Sequence, residues 1–231
     1  MRNVRVFFSK KGEAIFISHL DLMRSVTRAL KRAGIPIWYT QGFNPHPYIT
    51  FALPLSLGYE GYRESLEFRL EGDMSIADAG KKLAETMPPG IEVLEVVEQA
   101  SSPLPILFAD YRIVVRCADG DFIASFEEFW SGQDIVVTKK TKRGTKEIDI
   151  KPDIQILALK TMDNANEIEL TLKMSAGNTK NINPALLIEA YQGACQTPVE
   201  IISVARTGLY NEGMAPFGSD LEGERWIHKK Q

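Results

Sequence analysis

The chain has 231 residues, of which 44% are hydrophobic and 25% charged, and its formal net charge is −3. Such a chain is predicted to form one large domain or two small ones with a sizeable core. The negative charge argues against a protein that coats nucleic acid along its whole surface, so any anion binding must come from local basic patches. No apolar run approaches the roughly 20 residues that span a bilayer, and Cys117 and Cys195 form no CxxC motif. We therefore expect a cytoplasmic protein without a membrane segment, disulfide scaffold, thiolate metal site or cofactor.

The strongest helix signal begins at Ser18. Ser18 and Asp21 have the spacing of a capping box, and apolar residues then recur at three- and four-residue steps until Gly34. The sequence GFNPHP follows at residues 42–47, where two prolines exclude helix on either side of His46. We therefore predict a capped, amphipathic helix followed by a stiff, extended loop that presents His46.

The other elements of the first half alternate between strand and helix patterns. Strands are predicted at residues 4–9, continued by 14–17, and then at 37–40, 65–70 and 91–97, while a second helix begins at Ser75. The resulting order, βαββαβ, is that of a ferredoxin-like unit, in which two helices cover one face of a four-stranded antiparallel sheet.

The same order returns after a proline-bearing linker at residues 99–105. Strands are predicted at residues 110–117, 135–138, 167–173 and 199–205, with helices at 122–130 and 183–194. The sequence therefore predicts an α+β fold made of two ferredoxin-like (βαββαβ) units with antiparallel sheets. The predicted units are residues 1–99 and 106–207, and the second carries an inserted basic β-hairpin at 139–159. The tail at 208–231 is expected to be irregular and to become ordered only against another surface.

Two clusters of cations and one group of loop residues are candidate RNA-binding surfaces. The helix carries Arg24, Arg28, Lys31 and Arg32, the hairpin carries Lys139, Lys140, Lys142, Arg143 and Lys146, and the loop contributes Phe43, Asn44, His46 and Tyr48. Cations contact phosphates, and exposed aromatic rings stack on unpaired bases. The alternative is a solvated helix face and a hairpin whose lysines keep an edge strand soluble. Phe51 is expected to pack in the core.

His19 and His46 are candidate catalytic residues. A pair of imidazoles can act as general acid and base, for example in cleaving a phosphodiester at a 2′-hydroxyl. The alternative is that His19 packs within the first helical turn and His46 braces the Pro-His-Pro turn. A metal site of His19, Asp21 and His46 is not indicated, because these separations match no recognised ligand spacing. The sequence contains no Walker loop, GxSxG or HExxH motif.

The run SHLDLMRSVTRALKRAGIPIWYTQGFNPHPYITFALPLSLG resembles the signature of a bacterial family of radical SAM-linked proteins. Its members are encoded beside, or fused to the C-terminus of, a cobalamin-binding-domain radical SAM protein, often near a ribonuclease of the E/G type and a ribosomal protein. The resemblance covers most of the chain. It is specific in residues 16–58 and weaker in KEIDIKP at 146–152, and Asn183-Pro184 stands where relatives carry an Arg-Pro pair. It implies a radical SAM partner but no established activity.

Three hypotheses of function follow. Two distant cysteines cannot ligate a [4Fe–4S] cluster, so any radical chemistry would belong to the partner. The favoured hypothesis is an RNA-binding accessory protein that recognises or presents substrate to the radical SAM partner in RNA modification or processing. The alternatives are a metal-independent endoribonuclease resembling CRISPR repeat-processing enzymes, which also pair two ferredoxin-like units, and a protein-binding scaffold for the radical SAM partner.

Overall fold

The computed structural model describes residues 1–117, 122–132, 134–141, 144–163 and 166–228, and of residues 139–141 it describes the backbone alone. These residues contain four α-helices and a large, mostly antiparallel β-sheet, which confirms the predicted α+β class. The chain divides into two compact units. The first is Met1–Ile106 with Gly208–Gln231, and the second is Leu107–Thr207.

The first unit begins with four strands and two helices. In chain order they are β1 (Arg2–Lys10), α1 (His19–Arg32), β2 (Ile49–Phe51), β3 (Glu60–Leu70), α2 (Ile76–Thr86) and β4 (Ile91–Glu98). The strand order is β4-β1-β3-β2, with every neighbouring pair antiparallel, and Val6 of β1 lies opposite Leu66 of β3 and Val96 of β4. Each helix therefore connects two strands that are not neighbours in the sheet.

The apolar stripe of α1 packs into the core of the first unit as its spacing predicts. Leu22, Val26 and Leu30 are buried against alternate residues of β1 and β3, which point to one face of the sheet. Ser18 caps the helix, since its Oγ accepts a hydrogen bond from the backbone N–H of Asp21. Gly34 follows the helix with φ +63°, a left-handed conformation that glycine adopts without strain.

Two predicted strand segments of the first unit differ from the structure. Residues 14–17 do not continue β1, because Gly12–Phe16 is a 3-10 helix. The buried Lys10 side chain donates to the carbonyls of Ile15 and Ile17, which holds them away from a strand ladder. Residues 37–40 form only isolated bridges, and β2 supplies the edge strand beside β3 instead.

The second unit contains six strands and two helices. In chain order they are β5 (Phe108–Cys117), α3 (Phe122–Ser131), β6 (Val136–Thr141), β7 (Gly144–Asp149), β8 (Ile154–Thr161), β9 (Glu167–Ser175), α4 (Ala185–Cys195) and β10 (Val199–Tyr210). The strand order in the sheet is β10-β5-β9-β8, and β6 and β7 form a separate two-stranded sheet. α3 and α4 pack through rings, among them Phe126 and the buried Tyr191.

The inserted hairpin is therefore shorter than the predicted 139–159 and includes the predicted strand at 135–138. β6 and β7 pair with each other, whereas β8 leaves the hairpin and pairs with β9. A 3-10 turn at Lys151–Asp153 separates β7 from β8, and Pro152 has no backbone N–H to donate to a ladder there. Asp153 fixes the turn to the end of β9, because its Oδ1 accepts from Ser175 Oγ at 2.9 Å.

The C-terminal segment 208–231 is not irregular throughout, contrary to the expectation that it orders only against another surface. A final strand, β11 (Arg225–Ile227), pairs antiparallel with β4. Phe217 and Leu221 are buried, and the Phe217 ring packs edge-on against Phe7 of β1, 6.5 Å between centroids. Aperiodic apolar residues thus cover the first unit's own sheet.

No helix in the described residues is long and apolar enough to cross a membrane.

Candidate nucleic-acid interface

Residues 37–48 form a narrow turn, here named the Pro-His-Pro hairpin, on the first unit. Thr40 N donates to His46 O at 2.9 Å, and Tyr48 N donates to Trp38 O at 3.0 Å. Trp38 N in turn donates to Arg69 O at 2.9 Å, which ties the hairpin to β3. The prolines flanking His46 restrict the backbone further. The hairpin is therefore a fixed projection rather than a loose loop.

The imidazole of His46 is oriented by the hairpin itself. Its Nδ1 lies 3.0 Å from Thr40 Oγ1 and 3.1 Å from the carbonyl oxygen of Asn44. A carbonyl only accepts hydrogen bonds, so the contact with Asn44 requires the proton on Nδ1. In the neutral ring Nε2 is then an acceptor. The ring is exposed, and no described residue bonds Nε2.

Phe43 and Asn44 occupy the tip of the hairpin. The Phe43 side chain is fully exposed, which is unusual for a large aromatic residue in a well-formed turn. Both faces of the ring are therefore accessible to a planar group such as an unpaired base. Tyr48 lies further down and is half-buried against Trp38, with ring centroids 5.9 Å apart. Of the predicted stacking residues, Phe43 alone offers an entirely open ring.

The four predicted cations of α1 are all exposed but are not equivalent. Arg24 pairs with Asp21 at 3.1 Å, and Arg32 donates to the carbonyl of Thr86 at 2.5 Å. Lys31 lies 5.5 Å from the centre of the Tyr39 ring. Arg28 makes no hydrogen bond or ion pair with the described residues. Arg28 and Lys31 are therefore the two cations of this face that make no hydrogen bond or ion pair in the described part of the chain.

Lys31 also joins the two candidate surfaces. Tyr39 belongs to the Pro-His-Pro hairpin, and the ammonium of Lys31 on α1 approaches the face of its ring. The basic face of α1 and the hairpin are thus neighbours. Exposed cations beside an open ring and an imidazole acceptor are the groups that bind phosphates, bases and ribose hydroxyls of single-stranded RNA.

Asp21, in the first turn of α1, has a lowered pKa. The hydroxyl of Ser18 donates to Asp21 Oδ2 at 2.7 Å, and Arg24 donates to Oδ1. These contacts stabilise the carboxylate, so they lower the pKa of Asp21 below its ordinary value, the hydrogen bond from Ser18 contributing most. Asp21 therefore stays charged and keeps Arg24 partly neutralised.

The two candidate catalytic histidines make separate contacts. The His19 ring packs edge-on against Phe51 at 4.9 Å, and Phe51 packs against Phe8 at 6.0 Å. His46 contacts Thr40 and Asn44, and no contact between the two imidazoles exists in the described residues. His19 is thus a packing residue beside the core. In the described residues no group of three or more His, Cys, Asp or Glu side chains could hold a metal ion.

The basic hairpin of the second unit is described only in part. Lys139 of β6 lies opposite Lys146 of β7 in the register, and Lys140 lies opposite Thr145. Lys146 is exposed, whereas Lys142 and Arg143 lie outside the described residues. The backbone register thus places two lysine positions opposite each other.

A cluster that the sequence did not suggest joins Arg69 of β3 to two rings of the Pro-His-Pro hairpin. Arg69 of β3 places its guanidinium carbon 4.9 Å from the centre of the Trp38 ring and 4.4 Å from that of Tyr48. The one sequence signal is alternation: Phe68 and Leu70 are buried, so Arg69 must lie on the opposite face of the sheet. Alternation does not reveal which rings meet it there.

The chain belongs to a bacterial family described as "Uncharacterized protein conserved in bacteria (DUF2344)", whose model matches residues 3–184. No curated protein matches. Among solved structures, the chain is similar at 10% identity and a TM-score of 0.48 to a chain of a Cbf5-Nop10-Gar1 complex, covering 88% of this chain and 48% of that one. The chain thus spans about half the length of that structure.

Two further solved structures are less similar. One is an unknown protein from Galdieria sulphuraria, at 9% identity and a TM-score of 0.28, covering 87% of this chain and 96% of that one. The other is the small subunit of acetolactate synthase from Thermotoga maritima, at 13% identity and a TM-score of 0.26, covering both chains fully at 100%. Likenesses of this size carry no argument about function.

Proposed function

We propose that the protein binds RNA in the cytoplasm and recognises or presents it to a radical SAM partner that modifies or processes it. The observation that carries the RNA-binding part is the Pro-His-Pro hairpin, a fixed turn with the fully exposed ring of Phe43 and, among the described residues, no partner for Nε2 of His46. Arg28 and Lys31 of α1 supply positive charge beside it.

The Phe43 ring, the α1 cations and the His46 imidazole each suit a different part of a single RNA strand. An open aromatic ring stacks on a base of any sequence, and cations without carboxylate partners exchange counterions with the phosphate backbone. An imidazole acceptor held by its other nitrogen suits a ribose hydroxyl or a base amine. Because the hairpin is already ordered, binding loses little conformational entropy there.

The partner is proposed from the sequence resemblance at residues 16–58. The chain's two cysteines are too few to ligate a [4Fe–4S] cluster. Any radical step would therefore take place on the partner, and this chain would hold the substrate. An accessory role is also supported by the separate contacts of His19 and His46, since neither imidazole faces a second acid or base in the described residues.

We further propose that each unit is ferredoxin-like. The strand order β4-β1-β3-β2 supports this for the first unit, because α1 and α2 each connect strands separated by one other strand. The order β10-β5-β9-β8 supports it for the second unit, where β8 takes the edge position. Such paired units offer a sheet scaffold for RNA-contacting loops.

The test compares two double variants that each remove two charges from an exposed helix face. Arg28→Gln with Lys31→Gln acts on the proposed surface, and Lys81→Gln with Lys82→Gln acts on α2 of the same unit. Binding is measured by fluorescence anisotropy on RNAs first identified by crosslinking in cells. The α1 variant is expected to bind at least about tenfold more weakly, with a salt slope smaller by about 0.7 for each phosphate that is no longer neutralised.

The control variant on α2 is expected to bind as the wild type does. Equal weakening in the two variants would mean that net charge alone sets the affinity and would contradict a specific surface. Wild-type affinity that does not change with salt, or no affinity for any crosslinked RNA, would remove the RNA-binding proposal.

A further inference from the structure

Arg69 is held in a corner between two aromatic rings. Its guanidinium carbon lies 4.9 Å from the Trp38 centroid and 4.4 Å from the Tyr48 centroid, and the two rings lie 5.9 Å apart at an angle of 62°. The three distances form a triangle, so the guanidinium contacts both rings at once. Such contacts restrict a side chain that otherwise samples many rotamers.

The backbone sets this arrangement. Trp38 N donates to Arg69 O at 2.9 Å, and Tyr48 N donates to Trp38 O at 3.0 Å. The three residues therefore lie side by side on adjacent segments in a fixed register. Trp38 and Tyr48 stand on the side of the sheet opposite the helices, where alternation also places Arg69.

The guanidinium lacks the partners that a buried or half-buried arginine normally has. Its Nε is buried and has no hydrogen-bond acceptor within the described residues. Its two terminal nitrogens are not buried, and within the described part of the chain they make no hydrogen bond or ion pair. The rings thus fix the orientation of a cation whose outer N–H groups remain unused.

Arg5 of β1 shows what a structural arginine looks like on the same face of this sheet. Its Nε donates to Gln99 Oε1 at 2.7 Å and its terminal nitrogens donate to Ser65 Oγ at 3.0 Å and Glu67 Oε2 at 2.7 Å. Glu67 is thereby engaged by Arg5, although it stands two residues from Arg69 on β3. Each nitrogen of the Arg5 guanidinium thus has an acceptor, whereas the terminal N–H groups of Arg69 have none among the described residues.

We propose that Arg69 is a binding site for a phosphate group of the RNA backbone. A guanidinium presents parallel N–H donors whose fork matches two phosphate oxygens, and a charge-assisted pair of this kind is among the stronger hydrogen bonds in proteins. Trp38 and Tyr48 are positioning residues, since they hold the fork before the ligand arrives and so reduce the entropy lost on binding. This inference rests on the proposed RNA binding and adds a residue to it.

The location favours a polyanion over an isolated carboxylate. Trp38 contacts Arg69, and the next residue, Tyr39, contacts Lys31 of α1. Successive residues of an extended segment point to opposite sides, so the Pro-His-Pro hairpin has a cation against an aromatic ring on each side. A polyanion long enough to reach both sides of the hairpin meets both cations, whereas a single carboxylate meets one.

The experiment is a double-mutant cycle that combines removal of the Arg69 guanidinium with removal of the charge of the RNA backbone. Wild type, Arg69→Gln, Arg69→Lys and the control Lys82→Gln are titrated with a labelled single-stranded RNA and with the same sequence carrying neutral methylphosphonate linkages. Arg69→Gln is expected to weaken binding of the RNA by about tenfold or more and to reduce the salt slope by about 0.7. Its effect on the neutral-backbone strand is expected to vanish.

Arg69→Lys keeps the charge without the fork, so the salt slope is expected to persist while affinity falls. One result would overturn this inference and leave the proposed function standing. In that result, the double variant Arg28→Gln with Lys31→Gln binds RNA more weakly than wild type, but Arg69→Gln binds it equally well. An equal effect of Arg69→Gln on both backbones, or an effect only on strands containing guanine, would assign Arg69 to a base edge and also overturn it. Displacement of RNA by inorganic phosphate beyond a chloride control would assign a free oxoanion instead. No RNA binding by wild type would overturn both proposals.

Discussion

Gly80 and Trp226 are in direct contact in the first unit, because a Cβ atom added at Gly80 would lie 2.5 Å from the Trp226 ring. Gly80 is buried on α2, and Trp226 lies in the middle of β11, opposite Val96 of β4. The missing side chain on α2 therefore makes the space that the indole occupies. The contact packs β11 against α2, in addition to the pairing of β11 with β4.

Gly80→Ala is expected to destabilise the protein by about 1–2 kcal/mol. Overpacking costs about 1–3 kcal/mol, and alanine returns about 0.5–1 kcal/mol of helix propensity. Urea unfolding followed by tryptophan fluorescence measures the change. The matched control is Gly193→Ala on α4, where the glycine is exposed and an added Cβ meets nothing within 4 Å. The control is expected to stabilise, and a similar gain at Gly80 would show that Trp226 is not packed on α2.

Ser18→Ala is expected to raise the pKa of Asp21 toward its ordinary value, because the Ser18 hydroxyl is the main group that lowers it. A carboxyl whose pKa is lowered by folding adds stability above its unfolded pKa and loses that contribution as the pH falls through the folded pKa. Wild type should therefore lose more stability than the variant on acidification below about pH 4. NMR titration of Asp21 and urea unfolding at several pH values measure this.

Loss of the Ser18 cap itself is expected to cost about 0.5–2 kcal/mol at neutral pH. Ser18→Thr keeps a hydroxyl and is the matched control. An unchanged Asp21 titration in Ser18→Ala would contradict the assignment of the hydroxyl as the cause.

Local chemistry makes part of this structure predictable. The cap at Ser18 and the end of α1 at Gly34 depend on neighbours within a few residues, so a single sequence specifies them. The predicted exposure of the α1 cations follows from the apolar stripe on the other side of the helix. These features agree with the structure.

Contacts between distant segments could not be predicted in the same way. Trp226 has no periodic neighbours, so nothing in its own segment indicates a strand beside β4. Arg69 meets Trp38 and Tyr48 only because three separate segments align, and Lys10 is buried by carbonyls of a following turn that its own strand pattern does not reveal. The predicted hairpin boundary is wrong because β7 and β8 have similar alternation on either side of Pro152.

Lys10→Met is expected to destabilise the protein at neutral pH by about 1–3 kcal/mol, since it leaves the Ile15 and Ile17 carbonyls without their donor. Burial lowers the pKa of Lys10, and Glu64 opposes this only partly. The unfolded state therefore binds more protons than the folded state between the folded pKa and the ordinary value of 10.5.

In that window the free energy of unfolding of wild type should rise with pH relative to the variant, because deprotonation relieves the burial of a charge. Urea unfolding of both proteins from neutral pH toward pH 10 measures the difference, with exposed Lys82→Met as the control for general alkaline effects. A constant difference between wild type and Lys10→Met across this range would show that Lys10 titrates normally.

The variant His46→Asn distinguishes the contribution of Nδ1 of the imidazole from that of Nε2. The asparagine amide can donate from near the position of Nδ1 to the Asn44 carbonyl, but the variant has nothing at Nε2. We expect its thermal unfolding to match wild type and its RNA affinity to fall on the order of tenfold, as removal of one hydrogen bond to a ligand would cause. His46→Ala should lose affinity and also some stability.

Full RNA affinity in His46→Asn together with a loss in His46→Ala would show that the ring is only a brace for the hairpin. Cleavage of RNA by wild type that falls by about 10²- to 10⁴-fold in both variants, with affinity unchanged, would favour the endoribonuclease hypothesis over the accessory role. Anisotropy and gel assays on the same RNA distinguish these outcomes.

Phe43→Ser tests the open ring at the tip of the Pro-His-Pro hairpin. Because the side chain is fully exposed, its removal is expected to change the free energy of unfolding by no more than about 0.5 kcal/mol. Stacking on one base contributes about 1–3 kcal/mol, so RNA affinity should fall by roughly 5- to 150-fold, with little dependence on sequence. Phe43→Trp keeps a stacking surface and should retain affinity.

Phe16→Ser removes another exposed ring, from the 3-10 helix before α1, and should bind as wild type does. Equal weakening by the Phe16 and Phe43 variants in anisotropy titrations would mean that exposed apolar area, and not stacking at the hairpin, drives the binding.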